Sequence, residues 1–68
     1  MNIYKQARLK IGANQTTMGR LLGVSQQQVG MWETGTRNPS KTVQSLYDYL
    51  LYGNNQPIIE YLAKRNLS

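Results

Sequence analysis

The chain has 68 residues, 8 Lys+Arg against 3 Asp+Glu, a formal charge of +5, and no Cys, His or Phe. That length holds one small domain, residues 1–68, and the missing Cys and His exclude a disulfide framework, a zinc ribbon and the usual general base. The positive balance points to a polyanionic partner, either nucleic acid or an anionic membrane surface.

The longest strictly apolar run, Tyr49 to Tyr52, is far below the ~20 residues that span a bilayer. The polar start from Met1 to Lys10 is not that of a signal peptide. A cytoplasmic protein is expected, with no membrane partner.

Breakers stand at Gly12, Gly23, Gly35 with Pro39, and Gly53 with Pro57. Between them the apolar residues recur at helical spacing, so five short helices are expected. The first runs from about Ile3 to Ile11, with Asn2 as its N-cap and Tyr4, Ala7 and Ile11 on one face. Gly12 ends it in the left-handed conformation that residues with a Cβ avoid. Asn14 caps the second, Gln15 to Leu22, whose inner face would be Met18, Leu21 and Leu22, and Gly23 stops it.

Ser25 opens the third helix, and its spacing from Gln28 is that of a capping box, in which each side chain satisfies a free backbone N–H. Val29 and Trp32 face inward on it, Gln26, Gln27, Gly30, Met31 and Thr34 outward, and it ends near Thr34. Thr36 to Pro39 form an exposed loop. Ser40 then caps a fourth helix, where Val43, Leu46, Tyr47, Leu50 and Leu51 make the clearest amphipathic stripe in the chain. After the turn at Gly53, Asn54 and Asn55, Pro57 takes the first position of a fifth helix carrying Ile58, Ile59, Tyr61 and Leu62.

Two charges interrupt apolar faces. Arg8 falls among Tyr4, Ala7 and Ile11, and Glu33 continues the face of Val29 and Trp32. Buried singly, either costs several kcal/mol, so each needs a partner, and each is the other's best candidate. A pair would lock the first helix to the third. The run Gln26, Gln27, Gln28 at an exposed helix start is also distinctive, because a glutamine amide matches the N6 and N7 edge of adenine in the major groove. Gln28 divides its capacity between this and the cap.

The gapless stretch from Arg8 to about Leu51 contains Gln15 at the start of the second helix and Leu22, Gly23, Val24, Ser25 at the turn. Trp32, Glu33, Thr34, Gly35 close the third helix, and Arg37, Asn38, Pro39, Ser40 follow it. This pattern resembles the helix-turn-helix of the Cro/C1-type (XRE) family, to which lambdoid phage repressors and Cro proteins belong. The resemblance implies an all-α, compact five-helix, lambda-repressor-like DNA-binding domain, with the second and third helices as the helix-turn-helix. It also implies that the third helix lies in the major groove while the second crosses the backbone.

Carried over by position, Gln26, Gln27, Gln28 and Met31 read bases. Gln15, Thr36, Arg37, Asn38 and Lys41 contact phosphate, and Arg8 and Glu33 fall where some lambdoid repressors have an internal ion pair. Gly30 and Met31 depart from the family pattern. Gly30 removes one base contact, and Met31 suits either a thymine methyl or a sugar. Lys5 and Lys10 are candidate phosphate contacts, while Arg20, Lys64 and Arg65 are expected to be solvated.

One recognition helix reads only a few base pairs, so a homodimer on a palindromic operator is expected, with no cofactor, in a bacterial or phage-infected cell. The rival is a protein-interaction module on the same fold, such as an antitoxin or anti-defence protein. An enzyme is not expected, because Asp48 and Glu60 sit on different helices with no His, Cys or metal-ligand spacing beside them.

Overall fold

The first four helices begin where a side chain takes up free backbone N–H groups. In the computed structural model, which describes residues 2–67, the helices are α1 (Ile3–Ile11), α2 (Gln15–Leu22), α3 (Gln26–Thr34), α4 (Lys41–Tyr52) and α5 (Gln56–Leu67). No strand occurs among the described residues. Asn2 Oδ1 accepts from Lys5 N at 3.0 Å, Asn14 Oδ1 from Thr17 N at 2.8 Å and Ser40 Oγ from Val43 N at 3.3 Å. At α3 the capping box is complete: Gln28 N donates to Ser25 Oγ at 3.2 Å and Ser25 N to Gln28 Oε1 at 3.1 Å.

The turn between α2 and α3 is equally specified. Gly23 has φ 74°, and Val24 N reaches back to Gly19 O at 2.8 Å, a left-handed closure that strains any residue with a Cβ. α1 packs chiefly on α4, and α2 on α3. Their shared interior holds Ala7, Ile11, Met18, Val29, Trp32 and Tyr47, extended by Leu50, Leu51 and Leu62. The Tyr47 ring stands edge-on to Tyr4 (centroids 4.9 Å, 71°) and to Trp32 (6.0 Å, 86°), the arrangement favoured by ring quadrupoles. The radius of gyration is 11.3 Å, close to the ~11 Å of a folded chain this long.

Four expectations need correction. Leu21 is 39% exposed and Leu46 44% exposed, although both were placed on inner faces. α2 turns Met18 and Gly19 inward, which carries Leu21 out of the core. On α4 the stripe centres on Tyr47, leaving Leu46 at its edge. Pro39 is buried rather than exposed: its ring has no N–H to satisfy, and its carbonyl accepts from Gln44 Nε2 at 2.8 Å. Pro57 is the second residue of α5, not the first.

Candidate nucleic-acid interface

All of the charge excess lies in one part of the chain. Residues 1–47 contain Lys5, Arg8, Lys10, Arg20, Arg37 and Lys41 against Glu33 alone, whereas Asp48 and Glu60 balance Lys64 and Arg65 beyond them. Glu33 is matched in turn. Arg8 Nε donates to Glu33 Oε2 at 2.7 Å and Arg8 Nη2 to Oε1 at 2.9 Å, a two-point contact between side chains only 12% and 5% exposed. Arg8 Nη1 also donates to Ala13 O at 3.0 Å, which ties the α1–α2 connection to the same cation.

Burial pushes the Glu33 carboxyl up, but hydrogen bonds from Arg8 and Gln15 and the charges of Arg8 and Lys5 outweigh it and hold the carboxyl below the usual carboxylate range. The hydrogen bond to Glu33 raises Arg8 further, against the opposing cost of burial. The pair is ionised at neutral pH, so the face beside it carries no uncompensated negative charge.

Glu33 also orients Gln15. A carboxylate only accepts hydrogen bonds, so the Gln15 amide turns Nε2 toward Glu33 Oε1 (3.4 Å) and presents Oε1 to Gln26 Nε2 (3.5 Å). Both contacts are long, and the amide lies across α3 beside Gly30, where even an added Cβ would stand 3.7 Å from Gln15 Oε1, an ordinary contact distance. The first residue of α2 is thereby set beside the first residue of α3.

Gln26 and Gln27 are exposed on the open side of α3, and Met31 is half-buried one turn further on. Gln15, Gln27, Gly30, Met31 and Thr34 line a shallow concavity along that side. Gln28 is exposed, but its carbonyl is occupied by Ser25, which leaves only its amide NH2 for a base. At the end of α3, Thr36 N and Arg37 N donate to Met31 O at 2.9 and 3.3 Å, and the Thr34 and Thr36 hydroxyls lie 2.9 Å apart. These bonds hold Thr36, Arg37 and Asn38 in an exposed loop just before Lys41, the exposed first residue of α4.

Lys10 belongs elsewhere: its Nζ donates to Leu51 O at 2.7 Å, at the C-terminal end of α4 where a cation opposes the exposed carbonyl charge. Lys5, Arg20 and Lys64 are exposed, and the Arg65 side chain lies outside the described residues.

Two residues position this face in ways the sequence pattern does not announce. Gly19 permits the close approach of α2 to the following turn, since a Cβ there would fall 2.7 Å from Val24 O and 3.3 Å from Gln26 N. The mid-helix glycine, unfavourable by about 1 kcal/mol, was the available signal. Asn2 caps α1 and also donates from Nδ2 to Trp32 O at 2.8 Å and Glu33 O at 3.0 Å, closing the far end of α3. A single N-cap asparagine carries no sign of that second duty.

Among the described residues no helix is long and apolar enough to cross a membrane, and no cluster of side chains could hold a metal ion. Comparison with known proteins agrees with the geometry. The family described as Helix-turn-helix matches residues 5–43, from the first turn of α1 into the first turn of α4. No curated protein and no solved structure matches the chain. With more than half of its residues matched, and with α2 and α3 joined by a short glycine turn, the chain belongs to the Cro/C1-type helix-turn-helix family of DNA-binding regulators.

Proposed function

We propose that residues 1–68 form a Cro-like repressor that binds a palindromic operator as a homodimer and covers a promoter. α3 enters the major groove, where Gln26 and Gln27 read base edges, helped by the free NH2 of Gln28 and by Met31. Gln15, Thr36, Arg37, Asn38 and Lys41 hold phosphates on either side. The observation that carries this reading is the open side of α3. It exposes paired amide donors and acceptors at Gln26 and Gln27 between Gln15 and the Arg37 loop, and its one acid, Glu33, is neutralised by Arg8. The protein needs no cofactor and acts in the cytoplasm of a bacterial or phage-infected cell.

A second reading has its own support. Leu21, Leu22, Leu46, Tyr49, Leu50 and Ile58 line an apolar groove, and Tyr52 is 76% exposed. Such a surface suits another protein, as in an antitoxin or anti-defence module on the same fold. Selection of bound sites from random duplex DNA separates the two. A repressor enriches an inverted repeat with half-sites about one helical turn, ~34 Å, apart; an interaction module enriches nothing.

A further inference from the structure

Between α3, the Arg37 loop and the start of α4 lies a hollow of about 410 Å³, within the roughly 300–1,000 Å³ of small-molecule sites. Its lining divides by chemistry. Trp32 and Pro39 are buried and Val24 and Val43 half-buried, whereas Gln28, Arg37 and Ser40 are exposed. The hollow therefore has an apolar base and a polar rim.

The rim is committed to donating hydrogen bonds. Gln28 Oε1 accepts from Ser25 N at 3.1 Å, which leaves its NH2 to the hollow. Ser40 Oγ accepts from Val43 N at 3.3 Å, which leaves its O–H. The Arg37 guanidinium has donors only, and it forms no ion pair among the described residues. No acidic residue lines the hollow. Such a rim is complementary to a group that only accepts and carries negative charge, as a carboxylate does. A phosphate of duplex DNA meets the same rim but leaves the buried base of Trp32 and Pro39 unfilled, whereas a compact apolar body attached to the carboxylate covers it.

We infer that this hollow binds a small organic acid, one carboxylate on a compact aryl or alkyl body, and that the bound acid excludes DNA. The carboxylate sits on Arg37 and the Gln28 NH2, and the apolar body lies against Trp32, Pro39 and Val43. Exclusion rests on the proposed reading, in which the same Arg37 and Gln28 groups hold phosphate and base; occupancy of the hollow does not.

The first arm uses no DNA. Trp32 is the sole tryptophan, so its fluorescence reports the hollow during titration with 3-phenylpropionate. A saturable change is expected, with a dissociation constant on the order of 1 mM for a ligand of this size. 3-Phenylpropanamide, which lacks the charge, binds about five-fold more weakly, and so does 3-phenylpropionate to Arg37→Gln, whereas Arg20→Gln binds as wild type. Propionate, which lacks the ring, binds at least about ten-fold more weakly. The second arm measures duplex affinity with 3-phenylpropionate at ten times its dissociation constant, against propionate at the same concentration. About a ten-fold loss is expected from competition. The absence of a saturable change, equal binding of propionate, or full affinity in Arg37→Gln overturns the inference and leaves the operator reading standing. Unchanged duplex affinity with the acid bound overturns the exclusion. A protein that binds the acid as expected but no duplex overturns the operator reading and leaves the pocket standing.

Discussion

Arg8 and Glu33 join α1 to α3 through two hydrogen bonds of 2.7 and 2.9 Å, formed where both helices would otherwise bury an unmatched charge. The pair ties α3 to α1, and its carboxylate orients Gln15 at the start of α2. Removing one partner strands the other. Glu33→Gln is expected to lower unfolding free energy by about 3 kcal/mol, the low end for breaking a buried pair because Arg8 keeps some contact with solvent. Urea denaturation of the two proteins at neutral pH measures the difference.

The same pair sets an acid limit. The folded Glu33 carboxyl titrates below its unfolded value, so its stabilisation is fully present above the unfolded pKa of about 4.3 and is lost as pH falls through the lower folded pKa. The gap in melting temperature between wild type and Glu33→Gln is therefore constant above about pH 5 and narrows below pH 4. A gap that widens on acidification would contradict the ion pair.

Tyr47 presents the opposite case, a polar atom buried without a partner. It is 1% exposed, its hydroxyl makes no hydrogen bond among the described residues, and burial, aided by the negative charge of Glu33, pushes its phenol up to about 12. Tyr47→Phe keeps the edge-on contacts with Tyr4 and Trp32 and removes the unpaired hydroxyl. It is expected to be neutral or to stabilise by up to about 1 kcal/mol, measured by thermal unfolding.

Gly19 and Gly30 should respond to alanine with opposite signs. Gly19→Ala drives a Cβ against the Val24 carbonyl and is expected to cost about 1–3 kcal/mol. Gly30→Ala gains helix propensity of about 1 kcal/mol with no collision. Circular-dichroism melting of both variants compares them directly.

Local features of this fold were legible in the sequence because their causes are local. Asn2, Asn14, Ser25 and Ser40 announce helix starts by their spacing from free N–H groups, and Gly12, Gly23 and Gly35 announce stops. The Arg8–Glu33 contact was legible for another reason: a charge on an apolar face implies its partner. What escaped depends on distant chain segments meeting, as when Lys10 reaches Leu51 or Asn2 reaches Trp32. Leu21 and Leu46 were misplaced because periodicity marks an apolar side but not its centre. On α2 that centre is moved by Gly19, whose role appears only once α3 is packed against it.

Phosphate and base contacts separate by their salt and sequence dependence. Arg37→Ala is expected to weaken specific and random duplex alike and to lower the slope of log affinity against log salt by about one.

The most direct measurement is the affinity of Gln27→Ala for the selected operator, for single-base variants of it and for random duplex. If α3 reads bases through Gln27, discrimination at one position falls by about 1–3 kcal/mol while random-duplex affinity is unchanged. Equal losses on every duplex, or no loss on any, would contradict base reading by this helix.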